Sequence, residues 1–128
     1  MSDLTFPTQL LIDGAFVAGE GEAERVLNPS TGEVIASVPE ASPDQIQKAV
    51  SAAHRAFDAW RETTPADRSR MLLKLADAIE ARAEPFARLE SLNCGKPYAR
   101  ALGDEIPAVA DCLRYFAGAA RCLHGTVT

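Results

Sequence analysis

The sequence lacks any cluster of basic residues that could mark a surface for nucleic acid. Its 13 Lys and Arg are outnumbered by 18 Asp and Glu, which gives a formal net charge of −5 and a pI near 5.0. Nucleic-acid binding needs a positively charged stripe or patch, so we expect no nucleic-acid partner. The first residues, MSDLTFPTQLLIDGAFVAG, also lack a basic start and an apolar run of signal-peptide or membrane length. We therefore expect a cytoplasmic protein with no membrane partner.

Cysteine is scarce, and no two cysteines are closely spaced. The chain has 3, namely Cys94, Cys112 and Cys122. An odd number without a C-x-x-C pair speaks against a disulfide framework, a zinc site or a redox motif, and it suits a reducing compartment. We predict that these cysteines are small buried apolar residues.

Motifs that cradle phosphates or perform nucleophilic chemistry are missing as well. The sequence has no G-x-G-x-x-G or P-loop run, no His/Cys/Asp set with metal-ligand spacing, and no Ser/His/Asp or Cys/His constellation. His54 and Asp58 stand four residues apart, but a histidine at the edge of a helix face is far more often solvated or hydrogen-bonded than catalytic. We predict no catalytic and no cofactor-binding residue in this chain.

What the sequence does contain begins with β-type patterning. Asp13-Gly14 joins the apolar segments at residues 9–12 and 15–18, and this dipeptide favours a tight hairpin turn. The run NPSTG separates β-branched segments around Val26 and around residues 34–38, which predicts a second hairpin. Two small antiparallel β-hairpins are therefore expected within about residues 9–38.

Helical spacing replaces this alternation from about residue 43 to residue 124. Ser42, Pro43 and Gln45 supply an N-cap, a first-turn proline and a capping-box partner, which predict a helix from residue 43 to residue 61. Its predicted apolar stripe comprises Ile46, Ala49, Val50, Ala53, Phe57 and Trp60.

The next two helices carry similar end signals. Thr64-Pro65 starts a helix that is expected to end near Arg82, and Glu84-Pro85 starts another, which Gly95 should stop. Residues 98–103 are predicted to be a short bridging turn.

A last helix of about five turns is predicted from residue 104 to residue 124. Asp104 would be its N-cap and Pro107 would lie in its first turn, where backbone N–H groups lack intrahelical partners. His124 and Gly125 would end it. Its predicted core face comprises Ile106, Val109, Ala110, Leu113, Phe116, Ala117 and Ala120, and its opposite stripe comprises Asp104, Ala108, Asp111 and Tyr115.

Together these elements predict an α+β chain that is mainly helical with two small antiparallel β-hairpins. Patterning alone leaves open whether such a chain is an interaction module or part of an enzyme.

Several segments, in their order and spacing, closely resemble the N-terminal segment of the aldehyde dehydrogenase superfamily. They are LIDGAFV, VLNPSTGEVIASVPEAS, the helix pair at residues 49–91, LNCGKPYARAL and DCLRYFAGAA. NCGKP followed by DEIPAVADCLRYFAGAARCL is most similar to the aminoaldehyde branch, the dehydrogenases of 4-aminobutyraldehyde and betaine aldehyde. The resemblance covers nearly all of residues 1–128, and it implies a segment of the larger α/β aldehyde dehydrogenase fold.

The resemblance also implies a reaction. Members of the family oxidise an aldehyde to an acid: a cysteine attacks the carbonyl, hydride passes to NAD and a glutamate activates water. The Rossmann core with its NAD site, the catalytic cysteine and the oligomerisation strands would follow the point where Thr128 ends. We therefore expect this segment to be inactive by itself and to expose helix faces, so that it self-associates or packs on the rest of the enzyme.

Two sites are implied residue by residue. The backbone carbonyl of Leu27 and the side chain of Asn93 correspond to groups that help hold a monovalent cation. Relatives commonly have aspartate where this chain has Asn93, so the site should bind a hard cation more weakly.

The second implied site is the substrate channel, because in the family the last helix borders the aldehyde entrance. Asp104 and Ala108 would face the channel, with Glu105 at its flank. A carboxylate there would attract the ammonium group of an aminoaldehyde, by about 1 to 4 kcal/mol at 4 Å. The alternative is that Asp104 only caps the helix, a role worth about 1 kcal/mol, and the two roles can coexist.

We therefore interpret the chain as the N-terminal part of an NAD-dependent aminoaldehyde dehydrogenase. The alternative is a stand-alone protein-interaction or assembly module that reuses this segment.

Overall fold

The computed structural model describes residues 7–122, and the chain divides into two compact units, Met1–Arg61 and Glu62–Thr128. In the described range, residues 7–61 of the first unit form four strands and one helix, and residues 62–122 of the second are helical. The strands form two separate two-stranded sheets. The predicted α+β class, mainly helical with two small antiparallel hairpins, is confirmed.

The first hairpin pairs β1 (Leu10–Ile12) with β2 (Ala15–Val17) in antiparallel register, with Leu11 opposite Phe16. Asp13 and Gly14 both have positive φ, 54° and 77°, as a tight two-residue turn with the twist of the strands requires. Each strand is one residue shorter than predicted at its outer end.

The second hairpin pairs β3 (Ala23–Leu27) with β4 (Val34–Pro39), and its register shifts between Val26 and Leu27. The turn that connects β3 to β4 begins at Asn28. The Ser30 N–H donates to Asn28 Oδ1 at 2.9 Å, and the Gly32 N–H donates to the Asn28 carbonyl at 2.8 Å. Asn28 thus supplies side-chain and main-chain acceptors to the same turn, which explains why NPSTG joins two strands.

Helix α1 (Pro43–Arg61) has the predicted bounds, and its capping box is formed. The Ser42 N–H donates to Gln45 Oε1 at 3.1 Å, and the Gln45 N–H donates to Ser42 Oγ at 3.3 Å. Gln45 is buried, and its side chain also reaches the first hairpin's exit, where Oε1 accepts from the Glu20 N–H and Nε2 donates to the Ala18 carbonyl. One amide therefore starts the helix and attaches the preceding strands to it.

A close backbone approach holds the same region together. A Cβ atom on Gly19 would lie 2.3 Å from the carbonyl oxygen of Pro39, closer than any side-chain carbon can come. Next to it, the Gly21 N–H donates to the Glu40 carbonyl at 2.9 Å. Position 19 therefore requires glycine because the two backbone segments nearly touch.

In the second unit, α2 (Pro65–Glu80) begins with the predicted cap, since the Asp67 N–H donates to Thr64 Oγ1 at 3.1 Å. Helix α3 (Ala83–Cys94) ends as predicted at Gly95, whose left-handed φ of 72° allows its N–H to reach the Ser91 carbonyl. The α2 helix stops at Glu80, two residues before the predicted end.

Residues 98–103 do not form the predicted bridging turn, and the last helix does not begin at residue 104. Tyr98–Arg100 is already helical (α4), Ala101–Glu105 is a π-helical turn, and α5 (Ile106–Ala119) follows without a break. The π-turn replaces the predicted helix start because the chain is helical on both sides of Pro107. The proline ring would crowd the carbonyl four residues earlier in a regular α-helix, and the wider turn removes that conflict.

Two further corrections concern the last helix. Asp104 is not an N-cap, because it lies inside the π-turn. The helix ends at Ala119, short of the predicted residue 124, while His124 and Gly125 lie outside the described residues.

The helix α5 packs mainly on α2, and small residues mediate the contact. Ala76 of α2 and Ala110 and Ala117 of α5 are fully buried or nearly so. A second small cluster joins α3 to the π-turn and consists of Ala87, Ala101 and Ile106, with Ile79, Ala83, Tyr98 and Leu102 packed against it. Within residues 7–122, no large side chain is fully buried.

An ion-pair clamp also joins α2 to α5. Arg114 Nη1 and Nη2 donate to the two carboxylate oxygens of Glu80 at 2.8 and 2.6 Å, and Nη2 also donates to Asp77 Oδ1 at 2.8 Å. The hydrogen bonds from Arg114 lower the pKa of the Glu80 carboxyl, and the same bonds, accepted by Glu80 and then by Asp77, raise the already high pKa of the guanidinium.

Several residues predicted to be buried are exposed. Val109 and Phe116 of α5 lie beside the narrow stripe that α2 covers, so about half of each side chain remains accessible. The three cysteines are exposed too, because Cys112 is off that stripe and the others lie at or beyond helix ends. The predicted apolar stripe of α1 is likewise exposed at Ile46, Val50, Phe57 and Trp60. In the range 7–122, no helix combines the length and apolar character needed to cross a bilayer.

Candidate substrate channel and cation ligands

The predicted channel residues lie where the π-turn meets α5. Asp104 and Glu105 are the last two residues of the π-turn, and Ala108 lies in the first turn of α5. The Ile106 N–H donates to the Ala101 carbonyl, five residues back. Ala101 and Ile106 are both buried, although residues five apart lie roughly 140° from each other around a regular α-helix. The π-turn therefore aligns the buried side of the incoming chain with the buried side of α5.

Asp104 is exposed and is held by a neighbour of the same helical run. Arg100 Nη1 donates to Asp104 Oδ2 at 2.8 Å, and both side chains are largely accessible to solvent. An exposed pair at this four-residue spacing contributes only about 0.3–0.5 kcal/mol. The carboxylate can therefore exchange Arg100 for another cation at small cost.

Glu105 has a different environment. Its carboxylate contacts Lys96 Nζ, and Glu90 Oε1 of α3 lies 3.0 Å from the same nitrogen. Only 29% of the Lys96 side chain is exposed. The Cys94 thiol adds a hydrogen bond to the Glu90 backbone carbonyl at 3.0 Å and a longer one to its carboxylate. Lys96 thus joins the end of α3 to the end of the π-turn.

The ionisation of this cluster follows from its geometry. The hydrogen bonds that the Lys96 ammonium donates to Glu105 and then to Glu90 raise its pKa well above its usual range. The hydrogen bond from Lys96, followed by that from the Cys94 thiol, lowers the pKa of the Glu90 carboxyl. Lys96 is therefore charged at every physiological pH, and it partly neutralises two carboxylates.

The cluster was not anticipated from the sequence. Lys96 follows Glu90 by six residues and precedes Glu105 by nine, and neither spacing is that of a helix-surface pair. Only the turn at Gly95 and the π-turn bring these groups together, so no local signal could have revealed them.

Ala108 is exposed, as are Asp111 and Tyr115 farther along the same side of α5. The ring of Tyr115 meets that of Phe116 edge to face, with 5.3 Å between centroids. Ala108, Asp111 and Tyr115 were predicted on the side of α5 opposite its core face, and all three are exposed.

The predicted cation ligands belong to different units. Leu27 is the last residue of β3, at the register shift, and Asn93 is an exposed residue in the last turn of α3. Among residues 7–122, no group of three or more His, Cys, Asp or Glu side chains is arranged to hold a metal ion. Carbonyl and amide oxygens can also hold a hard cation, so the monovalent-cation site stays a prediction.

Comparison with known proteins supplies the family. The model of the Aldehyde dehydrogenase family matches residues 16–128. Aldehyde dehydrogenase family 2 member B4, mitochondrial, of Arabidopsis thaliana is 46% identical over 121 residues, which are 92% of this chain and 22% of that protein.

Two crystal structures extend the match to three dimensions. The NAD-dependent aldehyde dehydrogenase of Sinorhizobium meliloti gives a TM-score of 0.87 at 44% identity, covering 98% of this chain and 26% of that one. The indole-3-acetaldehyde dehydrogenase AldA of P. syringae, solved with NAD+ and IAA, gives a TM-score of 0.88 at 31% identity. That match covers 97% of this chain and 26% of the AldA chain.

The chain thus spans about a quarter of the length of the relatives that it matches. Sequence similarity extends along nearly the whole chain, and the fold agrees over the same extent. This chain belongs to the aldehyde dehydrogenase family.

Proposed function

We propose that this chain is the N-terminal part of an NAD-dependent enzyme that oxidises an aldehyde to the corresponding acid. The observation that carries the proposal is the agreement of nearly the whole chain, 98% of it at a TM-score of 0.87, with about a quarter of an NAD-dependent relative. NAD, when bound by such an enzyme, accepts a hydride from the substrate. The reacting cysteine and glutamate belong to other parts of the family fold, and this segment shapes the approach to them.

Within that function, the π-turn and the first turn of α5 would border the aldehyde entrance. Asp104 and Ala108 are exposed, as a channel lining requires, while Ala101 and Ile106 anchor the same turn in the interior. Because Ala101 and Ile106 are packed in the interior, the backbone that carries Asp104 and Ala108 should keep its position when the substrate enters. The segment's task is therefore to position the entrance, and its effect should fall on KM more than on kcat.

The substrate that we propose is an aminoaldehyde of the 4-aminobutyraldehyde or betaine aldehyde type. Its cationic group would meet Asp104, because Glu105 is already held by Lys96 while the exposed Arg100 pair of Asp104 is weak. A single carboxylate in a water-accessible channel attracts a cation by about 1 kcal/mol at 4 Å. The expected preference for the charged aldehyde is thus about fivefold.

The test compares two aldehydes that differ in the ammonium group. In the complete enzyme, Asp104→Asn should raise KM for 4-aminobutyraldehyde about fivefold and leave KM for butyraldehyde nearly unchanged. Asp58→Asn is the matched control, because Asp58 is another exposed helical carboxylate with an arginine, Arg61, on the next turn. Equal losses on both aldehydes would show that Asp104 serves only the helix.

The general proposal has its own test, which does not depend on the aldehyde. The 128-residue chain alone should give no NADH formation, and the same chain continued into the remaining parts of the family fold should give it. Steady, thiol-dependent turnover by the chain alone would contradict the assignment of the chemistry to other parts of the fold. The match along 92% of the chain does not favour a stand-alone interaction module.

Three further features belong to this proposal. The Leu27 carbonyl and the Asn93 side chain would contribute to a monovalent-cation site, weakened by the missing negative charge at position 93. The exposed apolar faces would pack on the rest of the enzyme, or on further copies of the chain when it is alone. A cytoplasmic location is the third, and it rests on the cysteine pattern.

A further inference from the structure

Lys96 joins two carboxylates that lie on different elements of the second unit. Its ammonium lies between Glu90 of α3 and Glu105 of the π-turn, and its side chain is more covered than either carboxylate. The residue itself precedes Pro97, so its backbone is constrained as well. A covered cation between two carboxylates on different elements fixes the distance between those elements.

The element that it holds is one that a polypeptide rarely forms without support. Well under one per cent of residues in globular proteins are π-helical, and most π-turns are single bulges inside α-helices, which frequently occur at functional sites. Here Pro107 prevents a regular α-helix, and the Ile106 N–H reaches the Ala101 carbonyl instead. Because a π-turn contains one more residue per turn, any return to α-geometry would rotate the residues before it relative to α5.

That rotation would displace Asp104 in particular. Asp104 lies directly before Glu105, the residue that Lys96 contacts, and only two residues before the buried Ile106. On the other side, Ala101 is buried in the cluster with Ala87. The burial of Ala101 therefore fixes the amino end of the π-turn. The burial of Ile106 and the contact of Glu105 with Lys96 fix its carboxyl end.

We propose that Lys96 is a positioning residue: by holding Glu105 against Glu90, it keeps the π-turn Ala101–Glu105 in place and so sets the position of Asp104 and Ala108 at the aldehyde entrance. The claim that Lys96 holds the π-turn in place rests on the contacts alone. The claim that it thereby positions Asp104 and Ala108 at the aldehyde entrance rests on the function proposed above.

A competing role for Lys96 makes an opposite prediction. If Lys96 acted only through its charge, its removal would leave Glu105 free to attract an ammonium group, and KM for an aminoaldehyde would fall. If Lys96 acts by positioning, its removal misplaces the entrance, so KM rises for charged and uncharged aldehydes alike. A purely structural role would reduce the amount of folded enzyme, and therefore the apparent kcat, without changing KM.

The first experiment uses the 128-residue chain and follows hydrogen exchange of the Ile106 amide, the donor of the π-turn hydrogen bond. Lys96→Met should accelerate exchange at Ile106 by about tenfold, while the amides of Ala110 and Ala117 in α5 change by less than about twofold. Lys96→Arg, which keeps the charge, should restore most of the protection. Lys74→Met is the matched control, since Lys74 is an exposed lysine of α2 in the same unit, and it should leave Ile106 unchanged.

Glu105→Gln provides a second route to the same result, because it removes the negative charge of the ion pair with Lys96 and leaves the lysine in place. It should also accelerate exchange at Ile106, which keeps the proposal testable if Lys96→Met does not fold. Unchanged exchange at Ile106 in either folded variant overturns the proposal. Equal acceleration along all of α5 would also overturn it, because that result means general destabilisation.

The second experiment measures KM and kcat of the complete enzyme with 4-aminobutyraldehyde and with butyraldehyde. Lys96→Met should raise KM for both by a similar factor, about fivefold or more, with kcat within about twofold, and Lys96→Arg should restore KM. A lower KM for the aminoaldehyde alone would overturn positioning in favour of charge. If the unaltered enzyme oxidises no aldehyde, the proposed function fails, whereas the exchange measurement still decides whether Lys96 holds the π-turn.

Discussion

The packing of α5 on α2 can be tested by one enlarged side chain, Ala110→Leu. Ala110 is completely buried, and α2 contributes the fully buried Ala76 to the same helix pair. Small residues at buried positions let two helix backbones approach closely, so no room should remain for three further carbon atoms. The substitution should therefore destabilise the second unit.

The sign of the effect decides between two descriptions of this contact. If a cavity existed beside Ala110, three buried carbon groups would stabilise the fold by about 0.8 kcal/mol each, roughly 2 kcal/mol in total. If the helices are closely packed, overpacking should cost about 1 to 3 kcal/mol. The two descriptions thus differ by several kcal/mol and have opposite signs.

Ala108→Leu is the matched control, because the same substitution is made in the same helix at an exposed alanine. It should change the free energy of unfolding by less than about 0.5 kcal/mol. Urea unfolding, followed by circular dichroism at several protein concentrations, measures both variants, and an unchanged m-value shows that the same surface is exposed on unfolding. Equal stability of Ala110→Leu and the parent chain would mean that α2 does not cover α5 at this position.

Two other predictions concern charge and exposed surface. Arg114→Met should lower the free energy of unfolding at neutral pH, because Arg114 holds the folded-state pKa of Glu80 below its ordinary 4.5. The stability that this ion pair contributes is present above the unfolded-state pKa and is lost as the pH falls through the folded-state pKa. Urea titrations from about pH 6 downward should thus show a smaller loss in Arg114→Met than in the parent chain, and parallel losses would contradict the clamp. The chain alone should also exceed its monomer mass of 13.7 kDa in light scattering, because Ile46, Val50 and Phe57 expose about half of each side chain on α1. Val50→Ser with Phe57→Ser should reduce the measured mass, and a parent chain that is monomeric at every concentration would refute the prediction.

The parts of the fold that the sequence predicted are those governed by neighbouring residues. The Ser42–Gln45 capping box and the Thr64 cap are made by groups three residues apart, and the Asp13-Gly14 turn by adjacent ones. In each case one side chain or one backbone conformation determines the local structure, so the residue types alone are informative. The start of α1 at Pro43 was predicted correctly for this reason.

Interactions between distant residues were not predictable in this way. The Gln45 amide is readable as a capping partner, but its bond to the Ala18 carbonyl depends on where the first hairpin ends. The same holds for Lys96 and Glu105, which only the π-turn brings together. Pro107 was interpreted as a residue of the first helical turn, where backbone N–H groups lack intrahelical partners, whereas the chain widens its helix before Pro107 and continues through it.

Burial was overestimated at the large apolar residues for a different physical reason. Periodicity shows which side of a helix is apolar, but a residue is buried only where another element covers it. On α5 the covered stripe is narrow and includes Ala110 and Ala117, while Val109 and Phe116 on either side remain exposed. The cysteines were predicted to be buried from residue type alone, and position on the helix decided otherwise.

The distribution of residue size within α5 connects this packing to the proposed function. Alanines at the α2 contact need close approach and little volume, so the helix pair is fixed by backbone proximity and by the Arg114 clamp. The side of α5 that carries Ala108 and Tyr115 is exposed, so under the proposed function its side chains can vary with the aldehyde. Substitutions on that side should therefore alter KM with little effect on stability, whereas substitutions at the buried alanines should do the reverse. A helix organised in this way can present different entrance side chains on an unchanged support.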